Sequence, residues 1–164
     1  MPTAWPALGN ARTYGYLLSY YLRSRLGKKN PLLGGMKITH RCNLRCRHCP
    51  FWKKANSALS FEQAISALNT LREWGVRILM IEGGEPFLWN DGAFDIQSVV
   101  GEAKRLFFCV GVTTNGTFPI EVDADIVWVS IDGLKDTHDS IRERPSRRQW
   151  LTSRLRPIPG STPT

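Results

Sequence analysis

Four short apolar runs, each ending in a polar or glycine-rich turn, constrain this chain more than any other feature. They are Gly35-Met36-Lys37-Ile38-Thr39-His40, Arg77 to Ile81, Phe107 to Val112 and Ile126 to Ile131. Beyond its first residue, Arg77-Ile78-Leu79-Met80-Ile81 shows no polar alternation, the pattern of a strand covered on both faces. Helical signals separate the runs. Ser60-Phe61-Glu62-Gln63 reads as a capping box, with Ser60 at the N-cap and Gln63 three residues on. Phe61, Ala64, Ile65, Leu68 and Leu71 then make one apolar stripe, which Gly75 ends. A weaker helix is expected from Phe94 to Arg105, despite Gly101, which costs about 1 kcal/mol against alanine. Thr117 to Ala124 is too short and proline-marked for a crossover helix, whereas Lys135 to Arg142 opens another. Alternating strand and helix predicts an α/β fold with about four parallel βα units. In folds of parallel βα units ligands gather at the carboxyl ends of the strands. Here those ends carry the segment after His40, Gly83-Gly84-Glu85, Thr114-Asn115-Gly116 and Ser130-Ile131-Asp132-Gly133.

Ahead of the first strand, residues 1–10 read as a loose start. Ala11 to Leu26 is helical, with Tyr14, Leu17, Leu18, Tyr21, Leu22 and Leu26 near the spacing of one face. Lys28 and Lys29 place cations at its negative end, and Pro31 stops it. A helix docked against the domain is the simpler reading. The sharper alternative is a basic, tyrosine-rich helix lying on an anionic membrane surface through residues 11–26. Charge bears on partners: the net +8 is unevenly spread, with eleven basic and no acidic residues in 1–61. Residues 62–143 hold six basic and fourteen acidic side chains, and 144–164 add five arginines. An acidic middle between basic flanks argues against a nucleic-acid substrate. No apolar run approaches the ~20 residues of a bilayer span. The first ten residues lack the pattern of a signal peptide. Cysteines kept for a metal centre then point to a reducing cytoplasm.

Those cysteines are Cys42, Cys46 and Cys49, a C-x3-C-x2-C set on the loop that leaves the first strand. Three thiolates so close can converge on one centre. An iron–sulfur cubane takes four ligands, so three leave one iron open to a small molecule. Zinc is the alternative, using the three sulfurs with His48 or His40. A disulfide framework does not suit three cysteines, which cannot pair evenly. Arg41, Arg45 and Arg47 either offset an anionic cluster or face solvent. Cys109, mid-strand, reads as a small buried hydrophobe.

With His48 just before the third cysteine, the spacing resembles the motif of radical S-adenosylmethionine (SAM) enzymes. Gly83-Gly84-Glu85-Pro86 matches that family's Gly-Gly-Glu-Pro element, and Ser130-Ile131-Asp132-Gly133 its fourth-strand element. The resemblance covers about residues 35–145 and is similar to the large group containing peptide maturases, hopanoid-type and molybdenum-cofactor enzymes. It implies a [4Fe–4S] cluster held by Cys42, Cys46 and Cys49, with SAM chelated at the open iron. It further implies reductive SAM cleavage to a 5′-deoxyadenosyl radical that abstracts a substrate hydrogen. Gly83, Gly84 and Glu85 would receive the SAM amino group, while Ser130 and Asp132 approach its ribose or carboxylate. Asn115 is a weaker SAM contact, since Asn-Gly is a common turn pair. His138 and Arg142 fit the family's Asp-Gly…His-Asp…Arg stretch, but a solvated helix face is expected of them. Trp89 and Asp91, just beyond the glycines, are candidates to close over the site. An electron donor such as a flavodoxin or ferredoxin is implied, with a small-molecule or peptide substrate. The non-enzymatic alternative is a metal-binding fragment with a zinc or iron–sulfur site. The expected organisation is an N-terminal extension over 1–34, a partial core over 35–145 and an Arg/Pro-rich tail over 146–164. Family cores have six βα units in an open barrel, so the resemblance, with four strands and a tail without strand signal, implies a partial open barrel, a truncated core, the tail disordered or out of frame.

Overall fold

The computed structural model describes residues 11–54 and 57–142. Within them run α1 (Ala11–Arg25), β1 (Leu33–Thr39), α2 (Phe61–Glu73), β2 (Ile78–Gly83), β3 (Asn90–Asp91), β4 (Phe94–Asp95), α3 (Ile96–Leu106), β5 (Cys109–Thr114), β6 (Ile126–Val129) and α4 (Lys135–Arg142). Short 3-10 turns occupy Phe51–Lys53 and Pro86–Leu88. The main sheet has the order β1-β2-β5-β6, every pair parallel. This is the expected partial, open βα barrel. Its register aligns Thr39 with Gly83, Ile81 with Val112 and Thr114 with Val129. All four strands therefore deliver their carboxyl ends to one rim.

Local signals set the helices that cover this sheet. Ser60 Oγ accepts from Gln63 N at 3.1 Å, and Ser60 N donates to Gln63 Oε1 at 2.9 Å, closing the capping box of α2. Gly75 leaves the helix at φ +101, a left-handed turn that glycine makes without a Cβ penalty. The expected helix from Phe94 instead starts at Ile96. Asp95 caps it, accepting from Ser98 N at 3.0 Å, and Phe94–Asp95 pairs with Asn90–Asp91 as a hairpin. A short acidic side chain favours the cap over the helix interior, which moved the boundary. Ile38, Leu68, Leu79, Ile81, Val99, Val110 and Val112 are fully buried between sheet and helices. Trp89 joins this core at 2% exposure and donates its indole N–H to Leu59 O at 2.8 Å. Asp91 accepts from Phe61 N at 2.7 Å. These two residues fasten α2 to the hairpin rather than closing over the rim.

The α1 helix docks at the opposite end of the sheet. The Tyr16 hydroxyl donates to Gly75 O at 3.0 Å, its ring meets Phe108 edge-on at 5.3 Å, and Arg77 stacks on it at 4.9 Å. Gly75, Arg77 and Phe108 all precede their strands. The outward face of α1 carries Tyr14, Leu18, Tyr21 and Leu22, each exposed. No described helix is long and apolar enough to cross a membrane. The expected loose start at 1–10 and the tail at 146–164 lie outside the described residues.

Candidate active site at the strand ends

Main chain packs on main chain where β1 and β2 end. Gly84 N donates to Thr39 O at 2.7 Å, and Glu85 N donates to Arg41 O at 2.8 Å. A Cβ on Gly84 would collide with the Arg41 carbonyl and stand 2.7 Å from His40 O. One on Gly83 would meet Thr39 O at 3.0 Å. Only glycine lets the β2 turn lie this tightly against the start of the cysteine loop.

The Glu85 side chain turns inward, fully buried. Its Oε1 accepts from Thr114 Oγ1 at 2.8 Å and Phe87 N at 3.2 Å, and Oε2 accepts from Asn115 N at 2.8 Å. Burial pushes its carboxyl above the usual glutamate range, while these donors and the Arg142 charge pull it back. Three donors occupy most of what a carboxylate accepts. The expectation that Glu85 itself receives an amino group therefore meets a side chain engaged within the protein, joining the end of β2 to that of β5.

Asn115, the weaker candidate, stands at the cysteine loop. Its Nδ2 donates to Asn43 Oδ1 at 2.9 Å and lies 3.9 Å from Cys42 Sγ, while its Oδ1 accepts from Thr117 N at 3.0 Å. Asn43 Nδ2 in turn donates to Thr117 Oγ1 at 2.8 Å. Cys42 Sγ also accepts from Leu44 N at 3.4 Å. Cys42, Cys46 and Cys49 are free thiols, Cys46 buried and the others half-buried. Burial raises the Cys42 and Cys46 thiols; the nearby Glu85 charge adds to this at Cys42, and Arg142 opposes it at Cys46. Such thiols ionise when a metal takes them. Three sulfurs on one loop, with N–H donors already aimed at one of them, form a donor set suited to an iron–sulfur cluster. Among the described residues, no three His, Cys, Asp or Glu side chains are grouped to hold a single ion. His40 pairs with Ser57 Oγ at 2.8 Å and stacks on Phe51, and His48 is exposed. Cys109 is buried in β5, as a small hydrophobe would be.

At the end of β6, Ser130 N donates to Thr114 O at 3.0 Å. Asp132 does not stand open on the rim alone. Its Oδ2 holds Arg142 Nε at 2.6 Å, and its backbone N–H donates to His138 Nδ1 at 3.2 Å. His138 and Arg142 are 4% and 5% exposed, which overturns the expected solvated face. One turn of α4 separates them, so both point the same way, and the pairing of Arg142 with Asp132 offsets part of the cost of burying its charge. The i, i+4 spacing beside Ile141 was the available signal. Conversely Arg41, Arg45 and Arg47 are all exposed. The buried cation beside the cysteine loop is Arg142. Asn43, which binds Asn115 beside Cys42, had no motif to single it out, and Thr114 was named only as part of a strand-end turn.

Comparison with known proteins fits this geometry. The family model of the Radical SAM superfamily matches residues 36–153. The pre-heme d1 synthase of Dinoroseobacter shibae is 32% identical over 117 residues, covering 64% of this chain and 28% of that protein. The Fe-coproporphyrin III synthase of Methanosarcina barkeri is 29% identical over 147 residues, covering 83% and 35%. Streptococcus suis SuiB, solved bound to S-adenosylmethionine, aligns with a TM-score of 0.61 at 19% identity, over 84% of this chain and 34% of SuiB. SuiB bound to its precursor peptide SuiA aligns equally, at 0.61. At that identity the likeness is one of fold. The chain spans a minor part of the length of the curated relatives it matches.

Proposed function

The chain belongs to the Radical SAM superfamily, and on that premise we propose that its strand-end rim holds a [4Fe–4S] cluster and SAM for radical generation. When bound, the cluster would supply one electron to SAM, giving methionine and a 5′-deoxyadenosyl radical that would abstract a hydrogen from the substrate. Cys42, Cys46 and Cys49 hold the cluster. The main chain at Gly83-Gly84, the Asn115 amide, Ser130 and Asp132 line the space for SAM. Glu85 acts from beneath, fixing Asn115 and the glycine turn against the cysteine loop. The observation that carries this reading is the bridge from Asn115 to both Asn43 and the Cys42 sulfur, which brings the β5 turn to the cysteine loop. The electron donor is proposed to be a flavodoxin or ferredoxin. The relatives support a small molecule or a peptide as substrate, the latter from SuiB with its precursor peptide. A reducing cytoplasm suits thiols kept as ligands.

Anaerobic reconstitution with iron and sulfide tests the reading. Replacing Cys42, Cys46 or Cys49 by alanine is expected to abolish cluster assembly, and Cys109→Ala to leave it intact. Addition of SAM should alter the EPR signal of the reduced cluster, since an open iron must exist. Equal iron loss from all four variants overturns the ligand assignment. Stoichiometric zinc without sulfide would make the loop a non-catalytic metal site.

A further inference from the structure

Arg142 is a buried cation on the helix that meets the cysteine loop. Its helix reaches the loop directly: Arg47 N donates to Ile141 O at 2.8 Å, so the residue after Cys46 is bonded to the residue before Arg142. Cys46 and Arg142 are 7% and 5% exposed, which leaves little water to screen the guanidinium. Asp132, whose side chain is 25% exposed, holds Arg142 Nε at 2.6 Å and fixes its orientation. His138 accepts from the Asp132 backbone N–H and ties that turn to α4.

We propose that the Arg142–Asp132 pair sets the reduction potential of the cluster on the cysteine loop, Arg142 favouring the reduced state and Asp132 tempering it. The inference rests on the proposed cluster. Reduction adds one electron and breaks no bond, so the reduced cluster carries one more negative charge than the oxidised one. A fixed buried cation stabilises that extra charge, and the carboxylate paired with it works the other way. Arg142 is thus a positioning and charge-compensating residue rather than a ligand. The exposed Arg41, Arg45 and Arg47 are screened by solvent and contribute much less.

Redox titration of the reconstituted full chain against an electrode mediator, without SAM, tests this through the cluster EPR signal. Arg142→Gln is expected to lower the reduced-to-oxidised ratio at fixed potential about tenfold, which is 59 mV for one electron. Asp132→Asn should move the midpoint the opposite way, because it leaves the arginine uncompensated. Arg142→Lys keeps the charge and should restore most of the wild-type value. Shifts of the same sign in Arg142→Gln and Asp132→Asn, or none in either, overturn the proposal. If Arg142→Gln loses its cluster outright, the signs of Asp132→Asn and Arg142→Lys decide. A wild-type chain that takes up no iron and sulfide overturns the cluster reading itself, a result separate from an intact cluster with unmoved potential.

Discussion

At the scale of single residues, the site depends on atoms placed where a larger or differently charged group fails. Gly84 and Gly101 show the contrast. A Cβ on Gly84 meets the Arg41 carbonyl, whereas one on Gly101 has nothing within 4 Å. Gly84→Ala is expected to cost at least about 1–3 kcal/mol, since the obstacle is backbone and cannot rotate away. Gly101→Ala, inside α3, should stabilise by about 1 kcal/mol. Urea unfolding checks both, and equal effects would remove the close approach as the reason for Gly84. Glu85 adds a pH dependence. Its folded value is raised, chiefly by burial, so the native state keeps the proton to higher pH than the unfolded chain. The stability tied to this group is fully present below the ordinary glutamate range and is lost as pH rises through the folded value. Glu85→Gln should cost about 1–3 kcal/mol, because an amide cannot accept from Thr114, Phe87 and Asn115 together. The gap between wild type and variant should narrow as pH rises; a constant gap would mean that Glu85 does not titrate in this range.

Between elements, α1 separates docking from mere amphipathicity. Its inner face is held by a hydroxyl and an aromatic edge, Tyr16 on Gly75 O and Phe108. Tyr16→Phe should cost about 1 kcal/mol through the lost hydrogen bond. Leu18→Ser, on the exposed face, should stay within about 0.5 kcal/mol. Chemical denaturation distinguishes the two, and a larger loss at Leu18 would mean that the outward face is the packed one. The α4 helix makes the complementary point. Sequence alone assigned its His138 and Arg142 a solvated face. Its folded position instead presses His138 and Arg142 onto the Asp132 turn.

At the scale of the whole molecule, the sheet formed by the described residues is open, and β6 is its edge strand. Trp128 and Ile131 on or beside it are 64% and 58% exposed, and Leu134 is 87% exposed. An apolar edge with unpaired N–H and C=O groups is a template for another strand. The described fold is therefore expected to self-associate with rising concentration. Trp128→Lys should reduce that association, measured by sedimentation velocity, and leave the helical circular dichroism unchanged. Association undiminished by the lysine would place the sticky surface elsewhere.

Unlike the Asn90–Asp91 hairpin with Phe94–Asp95, the four main strands and their order, the capping box at Ser60 and the cysteine loop after β1 were readable from the chain itself. Each rests on local periodicity, on turn chemistry or on residues adjacent in sequence, which no distant contact had to supply. Tertiary structure decided the rest. The inward turn of the Glu85 carboxylate, the contact of Asn115 with Asn43 and the Cys42 sulfur, and the burial of Arg142 each join residues that are ten to seventy-three positions apart. Parallel pairing brings those turns to one rim, and only then does it matter which donors a buried carboxylate finds. A sequence motif names the groups at a strand end; whether a group faces ligand or protein depends on what the neighbouring strand's turn places against it.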